Sequence, residues 1–141
     1  MKAKRAVVDS NVLISATLSP GSSPARIVFW LLEHGRLLFC EETFAELETR
    51  LWRPKFDRYL SLENRLLLLH DLSAVGEWIK LPPEGLRPLS RDADDDKFIW
   101  LAQAGGAEWL VSGDRDLLDL EPPEGLRILS PADALALIEA S

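Results

Sequence analysis

The residues best suited to chemistry lie in the stretch 92–114, DADDDKFIWLAQAGGAEWLVSGD. Asp92, Asp94, Asp95 and Asp96 crowd together ahead of an apolar helical run, which Gly105 and Gly106 stop. A short strand at 108–111 follows, and a further acid, Asp114, stands after it. If this helix and strand form half of a parallel crossover unit, both acid groups sit where strands end at their carboxyl side. Open α/β sheets bind ligands at that rim. Like charges a few Å apart disfavour joint ionisation, so acids gathered there need a counter-charge. A divalent cation supplies one.

Two more acids extend the pattern. Asp9 follows Ala6-Val7-Val8, a short apolar run that reads as a buried central strand, so its carboxylate belongs to the same rim. Glu46 lies on a helix beside the apolar positions Phe44, Leu47 and Leu51. Each acid alone has an ordinary explanation. Asp9 and Asp114 suit turns and helix caps, Glu46 suits a solvated helix surface, and acids before a helix are favoured by its dipole. Asp116 is the weaker neighbour of Asp114. Jointly they say more, because acids from separate parts of the chain meet only where a fold gathers strand ends. His34 and His70 fall inside expected helices without ligand spacing, and an oxygen-only set suits Mg²⁺ or Mn²⁺ rather than zinc.

The elements that must position these acids alternate along the chain. Asp9, Ser10 and Asn11 favour turns and helix caps after the first strand, and 18–24 is a loop by composition. Ser23 and Pro24 open a helix to about His34. Strand 36–40 and helix 41–52 follow, and Pro54 ends that helix. A leucine-rich helix at about 61–75 leads to a strand at 77–81. The hexapeptide PPEGLR occurs at 82–87 and again at 122–127, as loop chemistry used twice. A short helix at 117–120, a strand at 127–129 and a helix from Ser130-Pro131 to about 140 complete the chain. Strand and helix thus alternate about five times, which predicts one domain: a three-layer α/β/α fold with a central, mostly parallel sheet of about five strands.

Composition narrows the classes. With 47% hydrophobic and 28% charged residues in a chain of 141, a folded domain with one core is expected. A net charge of −7 excludes nucleic-acid binding by bulk electrostatics, so any such contact needs a local basic patch or a bound metal. Cys40, the one cysteine, has no partner for an internal disulfide and reads as buried and inert. Neither a signal-type apolar segment nor a membrane span is evident, which points to the cytoplasm.

With those residues in place, the chain resembles the PIN-domain family, and within it the VapC-like toxin components of toxin-antitoxin pairs. The likeness runs from Val7-Val8-Asp9-Ser10-Asn11, with Ser10 where the family has threonine, through Glu46 in Phe44-Ala-Glu-Leu and the segment Leu51-Trp-Arg-Pro-Lys-Phe56. It continues in Arg91-Asp92-Ala-Asp-Asp95-Asp96-Lys-Phe, in Leu110-Val-Ser-Gly-Asp114-Arg-Asp-Leu-Leu and in Ile128-Leu-Ser-Pro. The family's Asp-x-x-Asp spacing selects Asp92 and Asp95; counting back from Asp114 without gaps selects Asp96 instead. Asp95 is preferred.

The resemblance implies a Mg²⁺- or Mn²⁺-dependent endoribonuclease acting on single-stranded RNA. Acids holding one or two such ions can position a water for in-line attack and steady the phosphodiester charge, leaving a 5′-phosphate and a 3′-hydroxyl. Asp9, Asp95 and Asp114 would hold the ion directly or through water, with Asp92 beside them. Glu46 would bind a second ion or orient the water. Asn11, Ser112, Asp96 and Asp116 would support these acids from outside. Arg53 and Lys55, from a basic segment interleaved with Trp52, Phe56 and Tyr59, and Lys97 and Arg115, flanking the acids, are candidates for holding RNA. A small antitoxin covering the acid rim and a homodimer through 62–75 are expected as partners. The rival is a catalytically silent protein-binding module of the same fold, or a nuclease of RNA processing or decay rather than a toxin.

Overall fold

The computed structural model describes residues 4–82 and 95–140. Asp92 and most of the first PPEGLR segment lie outside the described residues. Five strands, β1 (Arg5–Val8), β2 (Arg36–Phe39), β3 (Glu77–Trp78), β4 (Trp109–Val111) and β5 (Arg127–Leu129), form one sheet in the order β3-β2-β1-β4-β5. Every pairing in it is parallel. Strand order reverses direction between β1 and β4, and their carboxyl ends therefore flank the crevice where such sheets take ligands.

Strand alternation builds the three layers. Ala6, Val8, Leu37, Phe39, Trp109 and Val111 face one core, and Val7, Leu38 and Leu110 face the other, as period-two side chains must. The first core is covered by α1 (Ser10–Leu18), α2 (Ser23–His34), α3 (Glu41–Leu51), α4 (Leu62–Val75) and α7 (Pro131–Glu139). The second is covered by α5 (Asp96–Gly105) and α6 (Arg115–Leu118). Cys40 is buried in this second core.

Several boundaries differ from the sequence reading. Of the turn or helix cap expected at Asp9-Ser10-Asn11 the structure has the cap: Asp9 is the N-cap of α1, a helix that the sequence reading did not give. Its Val12, Leu13 and Ile14 are consecutive and all buried, so the helix has no apolar stripe by which to be read. The cap of α2 is Ser22, whose side chain accepts from the Ala25 N–H; Ser23 is already helical. Strand β3 is only two residues long, although the Ile79 N–H still donates to the Phe39 carbonyl at 2.7 Å. Helix α6 begins earlier than expected, because Asp114 caps it.

Arg5 ties the short edge strand to the rest. Its guanidinium meets the two Glu77 carboxylate oxygens at 2.9 and 2.6 Å and donates to the Gly105 carbonyl at 3.0 and 2.7 Å, so one side chain joins β1, β3 and the end of α5. That partner holds the Glu77 carboxyl below the usual range. Gly105 lets α5 approach closely: a Cβ there would lie 2.7 Å from Leu38 Cδ1. Gly106 then ends the helix in the left-handed region at φ 64°, where a side chain would be strained. Among the described residues, no helix is long and apolar enough to cross a membrane.

Candidate functional site

The pairing of β1 with β4 sets the site. Val8 lies opposite Val111, and the Asp9 N–H donates to the Val111 carbonyl at 3.0 Å, so Asp9 and Ser112 leave the sheet side by side. Ser112 is fully buried. Its hydroxyl donates to Asp9 Oδ2 and accepts from the Asp114 N–H at 3.0 Å. One hydroxyl thus links the acid after β1 to the turn that carries Asp114. The other oxygen of Asp9 accepts from the Val12 N–H at 3.0 Å, capping α1. Asp114 Oδ1 accepts from the Asp116 N–H at 2.9 Å, which caps α6.

These turns bring three acids together. Asp95, Asp114 and Asp116 each place a carboxylate oxygen within 4.8 Å of the other two. Ligand distances of about 2.0–2.1 Å put adjacent oxygens of an octahedral ion about 3 Å apart and opposite ones about 4 Å apart. To share one hard cation the three would have to draw in to those spacings, and their all-oxygen chemistry suits Mg²⁺ or Mn²⁺. Asp95 is buried, and the other two are partly exposed toward the rim.

A second arrangement adjoins Asp9. Glu46 is not a solvated helix residue: its side chain is 11% exposed, with Arg50 Nε 3.0 Å from Oε1 and Lys97 Nζ against Oε2. Neither oxygen accepts a well-directed hydrogen bond, so charge rather than hydrogen-bond direction holds them. Burial pushes the Asp9 carboxyl above its ordinary range. The Ser112 and Val12 hydrogen bonds and the Arg50 charge pull it part of the way back, while Glu46 adds to the rise.

Other anticipated residues take varied places. Asp96 is almost wholly buried in the first turn of α5, and Asn11 is exposed in the first turn of α1. Lys97 is turned onto Glu46 rather than toward solvent. Arg53 and Lys55 are exposed on the turn after α3, and Arg115 is exposed with Asp119 3.9 Å away. The sequence reading ranked Asp116 below Asp114, and the structure sets its carboxylate beside those of Asp95 and Asp114; that reading gave Arg50 no part among the acids. The spacing of Glu46 and Arg50, one helical turn apart, was the available signal.

Residues 5–116 match the family described as PIN domain, a span running from the first residue of β1 to Asp116. The chain belongs to the PIN-domain family. An uncharacterised protein of Methanocaldococcus jannaschii is 32% identical to it over 118 residues, covering 82% of this chain and 74% of the relative. Among solved structures, a protein of Pyrobaculum aerophilum superposes with a TM-score of 0.63 at 19% identity, covering 98% of this chain and 91% of that one. VapBC2 from Rickettsia felis, bound to a DNA fragment from its promoter, gives 0.61 at 15% identity, with 89% and 98% covered. FitAcB from Neisseria gonorrhoeae gives 0.51 at 16%, with 90% and 98% covered. At these identities the structural likeness establishes the fold. All the candidate site acids lie inside the span matched to the PIN domain, whereas β5 and α7 lie outside it.

Proposed function

We propose that this PIN domain is a Mg²⁺- or Mn²⁺-dependent endoribonuclease cutting single-stranded RNA, and the toxin of a toxin-antitoxin pair. The observation that carries the reading is the meeting of Asp95, Asp114 and Asp116 oxygens at the switch point of the sheet, with Asp9 linked to them through Ser112. Membership of a family whose members are generally nucleases supports it. The likeness to VapBC2 and FitAcB supports the toxin role.

Asp95, Asp114 and Asp116 would hold the ion, with Asp9 reaching it through water. When bound, such an ion activates a water and steadies charge on a phosphodiester. The chain's own groups do the rest. Asp9 would accept a proton from the attacking water or orient it, and Ser112 fixes the direction of its carboxylate. The caps at Val12 and Asp116 lock the Asp9 and Asp114 side chains, so neither must be ordered when RNA arrives. The exposed cations Arg53, Lys55 and Arg115 would hold phosphates locally against a net acidic chain.

EDTA should abolish cleavage of a single-stranded RNA, and Mn²⁺ should restore it. Cleavage that persists in EDTA overturns the proposal. The same assay reads the antitoxin, a small protein that covers the rim and sets an arginine among the carboxylates. Its inhibition should weaken as Mn²⁺ is raised, and inhibition indifferent to Mn²⁺ would place it elsewhere.

We also propose a homodimer through α4. Leucines all round this helix leave Leu62, Leu66 and Leu67 more than half exposed, a patch that monomeric proteins rarely keep. Sedimentation at micromolar concentration should show a dimer, and a monomer there would remove the idea.

A further inference from the structure

We propose that Lys97 is a resident cation that occupies the Glu46 end of the acid rim and limits this PIN domain to a single metal ion at Asp95, Asp114 and Asp116. The inference rests on the metal-dependent reading above and sharpens it.

Glu46 has two carboxylate oxygens, and a protein cation stands at each. Arg50 approaches Oε1 from one turn along the same helix, and Lys97 approaches Oε2 from the first turn of α5, on the other side of the sheet. Their side chains are only 23% and 17% exposed, and Glu46 only 11%. Lysine and arginine are seldom buried so far without a partner. The contact is also non-local: α3 covers one core and α5 the other, so Lys97 reaches past the end of the sheet to meet Glu46.

Charge then decides occupancy. Two fixed positive groups stand on Glu46 at this end of the rim, and Arg50 also draws on Asp9 beside it, so the acids here already have protein cations, whereas the three aspartates at the other end bring their carboxylate oxygens within 4.8 Å of one another. A divalent cation entering at Glu46 would have to displace the Lys97 ammonium and sit beside the Arg50 guanidinium, in a partly buried place where solvent screens repulsion poorly. An ion entering among the aspartates meets only the opposite sign from them. Lys97 acts on the metal site through Glu46 and is a positioning residue.

The test is the number of Mn²⁺ ions bound per chain, counted by electron paramagnetic resonance on the full-length protein. Wild type should bind one. Lys97→Met should bind two, the second at least about ten times more weakly, and the Mn²⁺ dependence of cleavage should turn from hyperbolic to sigmoidal. Lys97→Arg should return the count to one, and Lys97→Gln serves in place of Lys97→Met should that variant fail to fold. Two ions in wild type, or one ion in both neutral variants, overturn the proposal. Wild-type protein that binds no Mn²⁺ overturns the metal-dependent reading itself, and so separates the two failures.

Discussion

Asp114→Asn should lower RNA cleavage about a thousandfold and weaken Mn²⁺ binding in parallel, while the protein stays as stable as wild type. Asp114 has two tasks in the structure, and asparagine preserves only one. Its Oδ1 caps α6 by accepting from the Asp116 N–H at 2.9 Å, and asparagine caps helices about as well as aspartate. The backbone bond from the Asp114 N–H to the Ser112 hydroxyl does not involve the side chain and survives. What is lost is one of the three charges that converge with Asp95 and Asp116. Charge stabilisation by a bound ion is worth several kcal/mol to the transition state, and each 1.4 kcal/mol is about tenfold in rate, hence the expected size of the effect. Single-turnover cleavage, a Mn²⁺ titration and a thermal melt on the same preparation test the three parts. A loss below about tenfold would show that Asp114 caps a helix and does little else.

Where the acids stand was legible at some positions and hidden at others, for reasons the structure supplies. Asp9 could be placed because Val7 and Val8, one facing each core, mark a buried strand, and the residue after such a strand stands at the rim. The layers followed from the alternation of strand and helix along the chain. Helix α1 escaped because Val12, Leu13 and Ile14 are all covered, and a helix buried on most sides has no periodic stripe. Asp95 and Asp96 are adjacent in sequence, yet one precedes the helix and meets Asp114 and Asp116, while the other is its first residue and is almost wholly buried. Only the helix phase tells them apart. Arg50 could have been paired with Glu46 from their spacing. Lys97 could not, because its contact depends on two helices from opposite layers meeting past the end of the sheet, which no local pattern encodes.

Asp9→Asn should part stability from activity. Asp9 is 6% exposed, and burial raises its folded-state carboxyl above the ordinary value. A carboxyl raised on folding costs stability wherever it is ionised in both states. The cost is therefore complete above the folded value, shrinks as pH falls through it, and is gone below the unfolded value. Asparagine removes that charge and keeps an oxygen for the Val12 N–H, so α1 remains capped. Its amide nitrogen, however, takes the place of the oxygen to which Ser112 donates, and that hydrogen bond must reverse. The net gain in metal-free buffer should be on the order of 1 kcal/mol at neutral pH, within the range of single stabilising substitutions, and should vanish on acidification through the carboxylate range. Cleavage, by contrast, should fall at least about a hundredfold, the low end of what a positioned proton acceptor contributes. Denaturant unfolding of both proteins in EDTA, at neutral pH and near the unfolded carboxylate value, gives the stability half of the result. A variant less stable than wild type at neutral pH would mean that the reversed Ser112 hydrogen bond outweighs the buried charge, and a difference that ignores pH would mean that folding does not raise the Asp9 carboxyl.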